Sequence, residues 1–186
     1  MKQQNNLSLE GRKGAKIRWK KEEEKLDRHL KSISESMKYK NLKARLMGFL
    51  AGDGTVGIRK ENKRNNAIHH DIAFYPDHLS MIGPFIEAFT YLYLKKPLVR
   101  KKENHYSIKV SSKFACLDLI ETVDFGLHKW RVPFSFLNTK ESKIEWLRSF
   151  FDCEGYVGNR DIRVQSVNKK GLQQVKKLLG ELGIES

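Results

Sequence analysis

Apolar residues recur at helical spacing from Leu42 to Ala51, through Leu46, Met47, Phe49 and Leu50, until Gly52-Asp53-Gly54 stops the run. "TVGIR" then alternates as a strand does, with Val56 and Ile58 on one side and Gly57 and Arg59 on the other. Beyond the basic loop "KENKRNN", the stretch "AIHHDIAFY" predicts a second strand with Ile68, Ile72 and Phe74 on its inner face. "PDHLSMIGPFIEAFTYLYL" returns to helical spacing, and its internal Pro84 is expected to kink or split the helix. "PLVRKKENHYSIKVSS" predicts a hairpin turning near Glu103-Asn104, with Tyr106, Ile108 and Val110 inward and Ser107, Lys109 and Ser111 outward. "KFACLDLIETV" reads as a short helix, and "DFGLHKWRVPFSFLNTK" as a linker punctuated by Gly and Pro.

The pattern then restarts. "ESKIEWLRSFFDCEGYVGNR" parallels "KNLKARLMGFLAGDGTVGIR", each a helix, an acid, a glycine and a strand, with G-x-V-G-x-R after the acid. "DIRVQSV" is the next strand, Ile162 and Val164 inward and Arg163 and Gln165 outward, and a helix follows from near Asn168. Only 31 residues follow Gly155, so the second unit is expected to lack its last hairpin and last helix. Before the first motif lies a polar, charged segment whose sparse apolar positions predict exposed helix. The chain divides as a basic helical arm (1–40), a first repeat (41–124), a linker (125–140) and a partial second repeat (141–186).

Composition narrows the partners. Among the 186 residues, 36 Lys and Arg face 22 acids, for a net charge of +14, and a polyanion is the simplest reason for such a field. No apolar run approaches the roughly 20 residues that span a bilayer, and no apolar segment follows the N-terminal charges, so an intracellular protein without a membrane partner is expected. Cys116 and Cys153 sit inside apolar helical patterns and read as reduced core residues. Trp19, Trp130 and Trp146 read as packing residues, and the adjacent His69 and His70 point to opposite strand faces, which disfavours a shared metal.

The chemistry lies in the repeated acids. Asp53 and Glu154 each stand at the carbonyl end of a helix, where negative charge is disfavoured by about 0.3–1 kcal/mol. Two such ends brought together would repel, unless a cation sat between them. Carboxylates with backbone carbonyls and water suit Mg²⁺, and Gly52 and Cys153 adjoin the acids in that set; Ca²⁺ or Mn²⁺ would substitute in binding. Gly48 and Gly52, with Ser149 and Cys153 at the same places in the second copy, are small residues four apart that let two helices approach closely. A two-carboxylate metal site beside a basic surface points to metal-assisted phosphodiester hydrolysis.

"LMGFLAGDG" and "LRSFFDCEG" resemble the paired motifs of the LAGLIDADG homing endonucleases in their single-chain, two-motif form, across residues 42–184. The resemblance implies an α+β fold of pseudo-twofold αββαββα repeats with antiparallel saddle sheets, the second incomplete. It implies a monomer that cuts both strands of a long pseudo-palindromic site on double-stranded DNA with Mg²⁺, encoded in an intron or carried by an intein. The metal-binding acids of the motifs fall on Asp53 and Glu154. "LHKWRVP" resembles the segment preceding the second motif, and Lys129, with Arg131 next, is the basic residue assigned to the scissile phosphates. Ala51 stands where the motif carries an acid that Asp152 supplies in the second copy. Arg59, Lys109, Arg163 and Gln165 alternate against inward neighbours and would face DNA, with Lys63 and Arg64 from the basic loop. The alternative is a weakly active or inactive relative that binds nucleic acid, either an intron RNA maturase or a DNA-binding regulator.

Overall fold

A computed structural model of the chain describes residues 9–61, 67–103 and 105–186, and these fall into two units divided between Ser34 and Glu35. The first unit carries one long helix, α1 (Leu9–Ile33). Trp19 is 66% exposed on it, against the packing role expected, because Glu22 and Glu23, one turn further along the helix, are exposed charges that cannot cover the ring.

The second unit opens with α2 (Met37–Gly52), which starts a turn and a half earlier than its apolar pattern because Ser36 caps it, accepting a bond from the Tyr39 amide. A four-stranded antiparallel sheet follows, built from β1 (Gly54–Glu61), β2 (Ala67–Phe74), β3 (Leu98–Lys101) and β4 (Tyr106–Ser111) in the order β1-β2-β4-β3. Between β2 and β3 come a single 3-10 turn (Leu79–Met81) and α3 (Ile82–Tyr93). Pro84 sits in the first turn of α3, just after the 3-10 turn, where its missing N–H has no helical partner to lose, so the expected helical stretch divides ahead of it into a 3-10 turn and α3. The β3–β4 hairpin closes through the Lys102 amide on the His105 carbonyl, at 2.8 Å; Asn104 lies outside the described residues. Helix α4 (Lys113–Thr122), capped by Ser112, lies over β1 and β2.

The core of this half is aromatic. Phe74 of β2 stacks on Phe85 of α3 at 4.6 Å and meets Phe49 of α2 at 5.1 Å, with Leu46, Ile72, Phe89 and Ile108 fully buried around them. The inward alternation holds only where helices cover the sheet. Ile58 and Ile68, expected inside, are 51% and 62% exposed, because β4 pairs with β2 only from Asp71 to Phe74 and leaves the ends of β1 and β2 as a two-stranded ribbon. Ser107, expected outside, is buried, since a small side chain on a central strand is shaded by the longer Arg100 paired beside it.

After the linker, Thr139 and Ser142 form a reciprocal capping box that starts α5 (Lys140–Glu154). The short strands β5 (Gly155–Val157) and β6 (Ile162–Val164) pair as a separate two-stranded sheet, and α6 (Lys169–Gly180) begins behind the Asn168 cap. Ile162 is 64% exposed rather than inward, because this sheet has neither of the strands that flank and extend its counterpart. The linker packs rather than dangles: Trp130 is buried on Phe150 at 5.0 Å, and its carbonyl accepts a 2.7 Å bond from Asn168. Trp146 is also buried, stacked on Phe150.

Candidate active site

The site begins with a close crossing of two helices. Among the described elements, α2 and α5 make the most extensive contact. Gly48 lies so near α5 that an added Cβ would collide with the Trp146 carbonyl oxygen and stand 2.9 Å from the Ser149 Cβ. A Cβ on Gly52 would come to 2.5 Å from the Cys153 Cβ. Glycine on one helix against Ser149 and Cys153 on the other therefore sets the spacing, and the contact runs to the C-terminal ends of both helices.

At those ends the chain must turn sharply into each sheet. A Cβ on Gly54 would strike Leu50, and one on Gly155 would strike the Phe151 carbonyl, so only glycine fits directly after each acid. Asp53 occupies the C-cap of α2 and Glu154 the last residue of α5. The Asp53 carbonyl is held by the Tyr75 amide at 3.0 Å, which ties the foot of β2 to the end of α2.

The two carboxyls share a field. Burial, then repulsion from Glu154 and from Asp77, pushes the Asp53 carboxyl up to about 6, while a hydrogen bond from the Cys153 thiol opposes the rise. Burial also raises Glu154. Two carboxyls that interact in this way titrate as a pair. Burial raises the Cys153 thiol strongly, and its sulfur lies 3.9 Å from the Phe49 carbonyl, turned toward α2. A protonated thiol so placed leaves only the Cys153 backbone carbonyl as a ligand for a hard cation.

Among the described residues no group of three or more His, Cys, Asp and Glu side chains gathers to hold a metal. Two carboxyls with adjacent carbonyls fit Mg²⁺ nonetheless, since that ion keeps several waters and is bound by one or two carboxylates plus substrate phosphates. The donor set is all oxygen, and neither acid belongs to any ion pair among the described residues; the pairs along the two helices, Arg45–Glu145 at 2.7 Å, Arg45–Glu87 at 3.5 Å and Arg148–Glu145 at 3.1 Å, leave both out.

The other candidate residues are dispersed. Lys129 is exposed on the Gly126–Trp130 turn, and neither acid interacts with it; Arg131 pairs with Asp124 at 3.3 Å. Arg59 and Lys109 lie on one open face of the four-stranded sheet, Arg59 in contact with Asp71 at 3.4 Å and Lys109 over the Tyr75 ring. Arg163 is exposed on β6 and held by Asp161 at 2.8 Å, and Gln165 is exposed just beyond that strand. Lys63 and Arg64 lie outside the described residues. Two residues escaped the sequence reading. Arg100 joins the Lys109 face, a consequence of the β3–β4 register. Asp77 looks like an ordinary turn acid after Pro76, and only the return of β2 to α2 brings its charge to Asp53.

The comparisons with known proteins agree with this geometry. Residues 141–186 match the family model of a LAGLIDADG-like domain. Over the larger part of the chain the fold is that of a solved homing endonuclease, I-DmoI. Its mesophilic variants superpose with a TM-score of 0.66 at 19% identity over 80% of each chain. I-DmoI in complex with DNA and Mn gives 0.64 at 19% identity, covering 79% of this chain and 80% of that one. The homing endonuclease I-WcaI bound to its DNA recognition sequence gives 0.50 at 17% identity, over 76% of this chain and 67% of that one. No curated protein matches. The chain thus has the LAGLIDADG homing-endonuclease fold, with two motif helices packed at a pseudo-twofold joint, as the resemblance of "LMGFLAGDG" and "LRSFFDCEG" implied.

Proposed function

We propose that the chain is a Mg²⁺-dependent DNA endonuclease of the homing type, cutting both strands of a long pseudo-palindromic site. The observation that carries the proposal is the joint itself, which brings two acids with raised carboxyl pKa values side by side at the feet of two sheets. Asp53 and Glu154 would hold the metal, with the Gly52 and Cys153 carbonyls beside them. When bound, the ion would lower the pKa of a water and stabilise the leaving oxygen of the scissile phosphate.

The chain's own residues do the rest. The Gly48–Gly52 contact fixes the separation of the carboxylates, and the protonated Cys153 thiol lies beside Asp53. Arg59, Arg100 and Lys109 line the open sheet face, with Arg163 on the second sheet and Gln165 just beyond it. These five would meet bases and phosphates, and Lys63, Arg64 and Lys129 would add backbone contacts. I-DmoI has been solved with DNA and Mn and with DNA and Ca, which supports a divalent ion and a DNA partner for this fold. The protein would act as an intracellular monomer with internal pseudo-symmetry, spread by an intron or an intein.

The test is the purified chain with Mg²⁺ on a library of duplex targets. Asp53→Asn should abolish cleavage and leave DNA affinity within about threefold; absence of cutting by the unaltered chain on every duplex would overturn the assignment. A second reading, a nucleic-acid-binding relative without cleavage, draws on the two-stranded second sheet with its exposed Tyr156, Val157 and Ile162. It predicts tight binding to intron RNA or to a DNA operator with no dependence on Asp53.

A further inference from the structure

Helix α1 carries a second charged surface. At 100° per residue, Arg18, Lys21, Lys25 and Arg28 fall within one narrow face, and all four are exposed. The neighbouring cations are spoken for inside the helix: Lys31 pairs with Asp27 at 2.8 Å, and Lys20 approaches Glu24 at 4.0 Å. None of the ion pairs among the described residues involves Arg18, Lys21, Lys25 or Arg28, and Arg28 only donates to the Glu24 carbonyl at 3.3 Å. Gly14 continues the same face toward the N-terminus with open space where a side chain would stand. Glu22 borders the row on one side.

We infer that this face binds the phosphate backbone of duplex DNA, adding sequence-independent affinity to the reading surface of the sheets. Ten residues of helix span about 15 Å, which carries four cations along a row of successive phosphates. Charge complementarity selects the partner, since a face of cations with no ion partner gains most from displacing condensed counterions on a polyphosphate. A lipid surface suits the helix less well. Trp19, Leu26 and Leu30 lie on the side away from the basic row, and the exposed Ile17 that borders it is a single apolar residue rather than a face that could enter a bilayer. The inference shares with the proposed function only the premise that DNA is the partner, and it does not depend on cleavage.

The experiment compares the full chain with the variant R18Q/K21Q/K25Q/R28Q, which keeps helix-forming side chains, and with K20Q/K31Q as the paired-cation control. Binding to a random-sequence 30-base-pair duplex is followed by fluorescence anisotropy between 50 and 300 mM salt, roughly the range over which phosphate contacts dominate affinity. The four-residue variant should lower the slope of log affinity against log salt by about 3–4, from roughly 0.9 per contact. The control should lower it by less than 1, and unchanged far-UV circular dichroism should accompany both. An unchanged slope in the four-residue variant would overturn the inference, as would loss of binding to anionic vesicles alone. Asp53→Asn run beside them should leave the slope alone, so failure of the metal site and failure of the α1 face are told apart.

Discussion

Asp53 is held where its charge is least welcome, and that has a measurable consequence. Its folded-state carboxyl stands near 6 against an ordinary 3.8, for reasons of burial first and then of Glu154 and Asp77. A raised carboxyl binds its proton more tightly in the folded chain than in the unfolded one. Its stabilising contribution is therefore fully present below about 3.8 and is lost as pH rises through about 6. Metal-free protein should carry an unfavourable charge at pH 7.5, and Asp53→Asn should then be more stable than the natural chain by about 2 kcal/mol. Chemical denaturation in EDTA at pH 7.5 and at pH 4 measures it, and the gap should close at the lower pH. A variant less stable than the natural chain at pH 7.5 would mean that Asp53 holds structure rather than metal. The sequence revealed this residue because an acid between two glycines at a helix end breaks a local electrostatic rule. Asp77 breaks none, and its part in the field depends on β2 returning to α2, a long-range fact that no local pattern carries.

Between elements, two contacts dominate the way α2 is held. On one side is the glycine crossing with α5. Gly48→Ala would press a methyl into the Trp146 carbonyl, a backbone atom that cannot swing aside, and should destabilise the chain by about 1–3 kcal/mol in urea denaturation. On the other side, Lys43 is buried and reaches Asp118 of α4 at 2.9 Å, whose second oxygen accepts from Tyr93 of α3 at 2.7 Å. Asp118→Ala would strand that ammonium and should cost about 3–5 kcal/mol, whereas K43M/D118L, removing both charges, should cost markedly less. A double mutant as unstable as Asp118→Ala would mean that the packing of α4, rather than the charge, is what fails. Helices and strands were legible here because periodicity follows burial. Where burial is not local, periodicity misleads: Ile58, Ile68 and Ile162 alternate like core residues but lie beyond the strands that would cover them.

For the molecule as a whole, the acid pair exists only while both halves keep their register, and the linker sets that register for the second half. Trp130 lies across α6 at Gly171, where a Cβ would come to 2.5 Å from the indole, and the same ring packs on Phe150 of α5. Asn168 closes the arrangement, donating to the Trp130 carbonyl at 2.7 Å and accepting from the Gly171 amide at 3.0 Å. The Val132 amide adds a bond to Gln174 at 2.9 Å. Because Phe150 precedes Glu154 by one helical turn, a displaced Trp130 shifts the helix that delivers the second carboxylate. Gly171→Ala touches neither acid and no sheet residue, yet it should destabilise the chain by about 1–3 kcal/mol by overpacking. It should also weaken metal binding, read as a smaller rise in melting temperature on adding Ca²⁺, since a ligand at 100 times its Kd stabilises by about 2.7 kcal/mol only if its site is intact. Asp53→Asn, by contrast, should remove the Ca²⁺ effect without lowering the metal-free melting temperature. A Gly171→Ala protein that is destabilised but keeps the full Ca²⁺ response would show the linker to be a support for α6 alone, with the α2–α5 joint sufficient to align the acids.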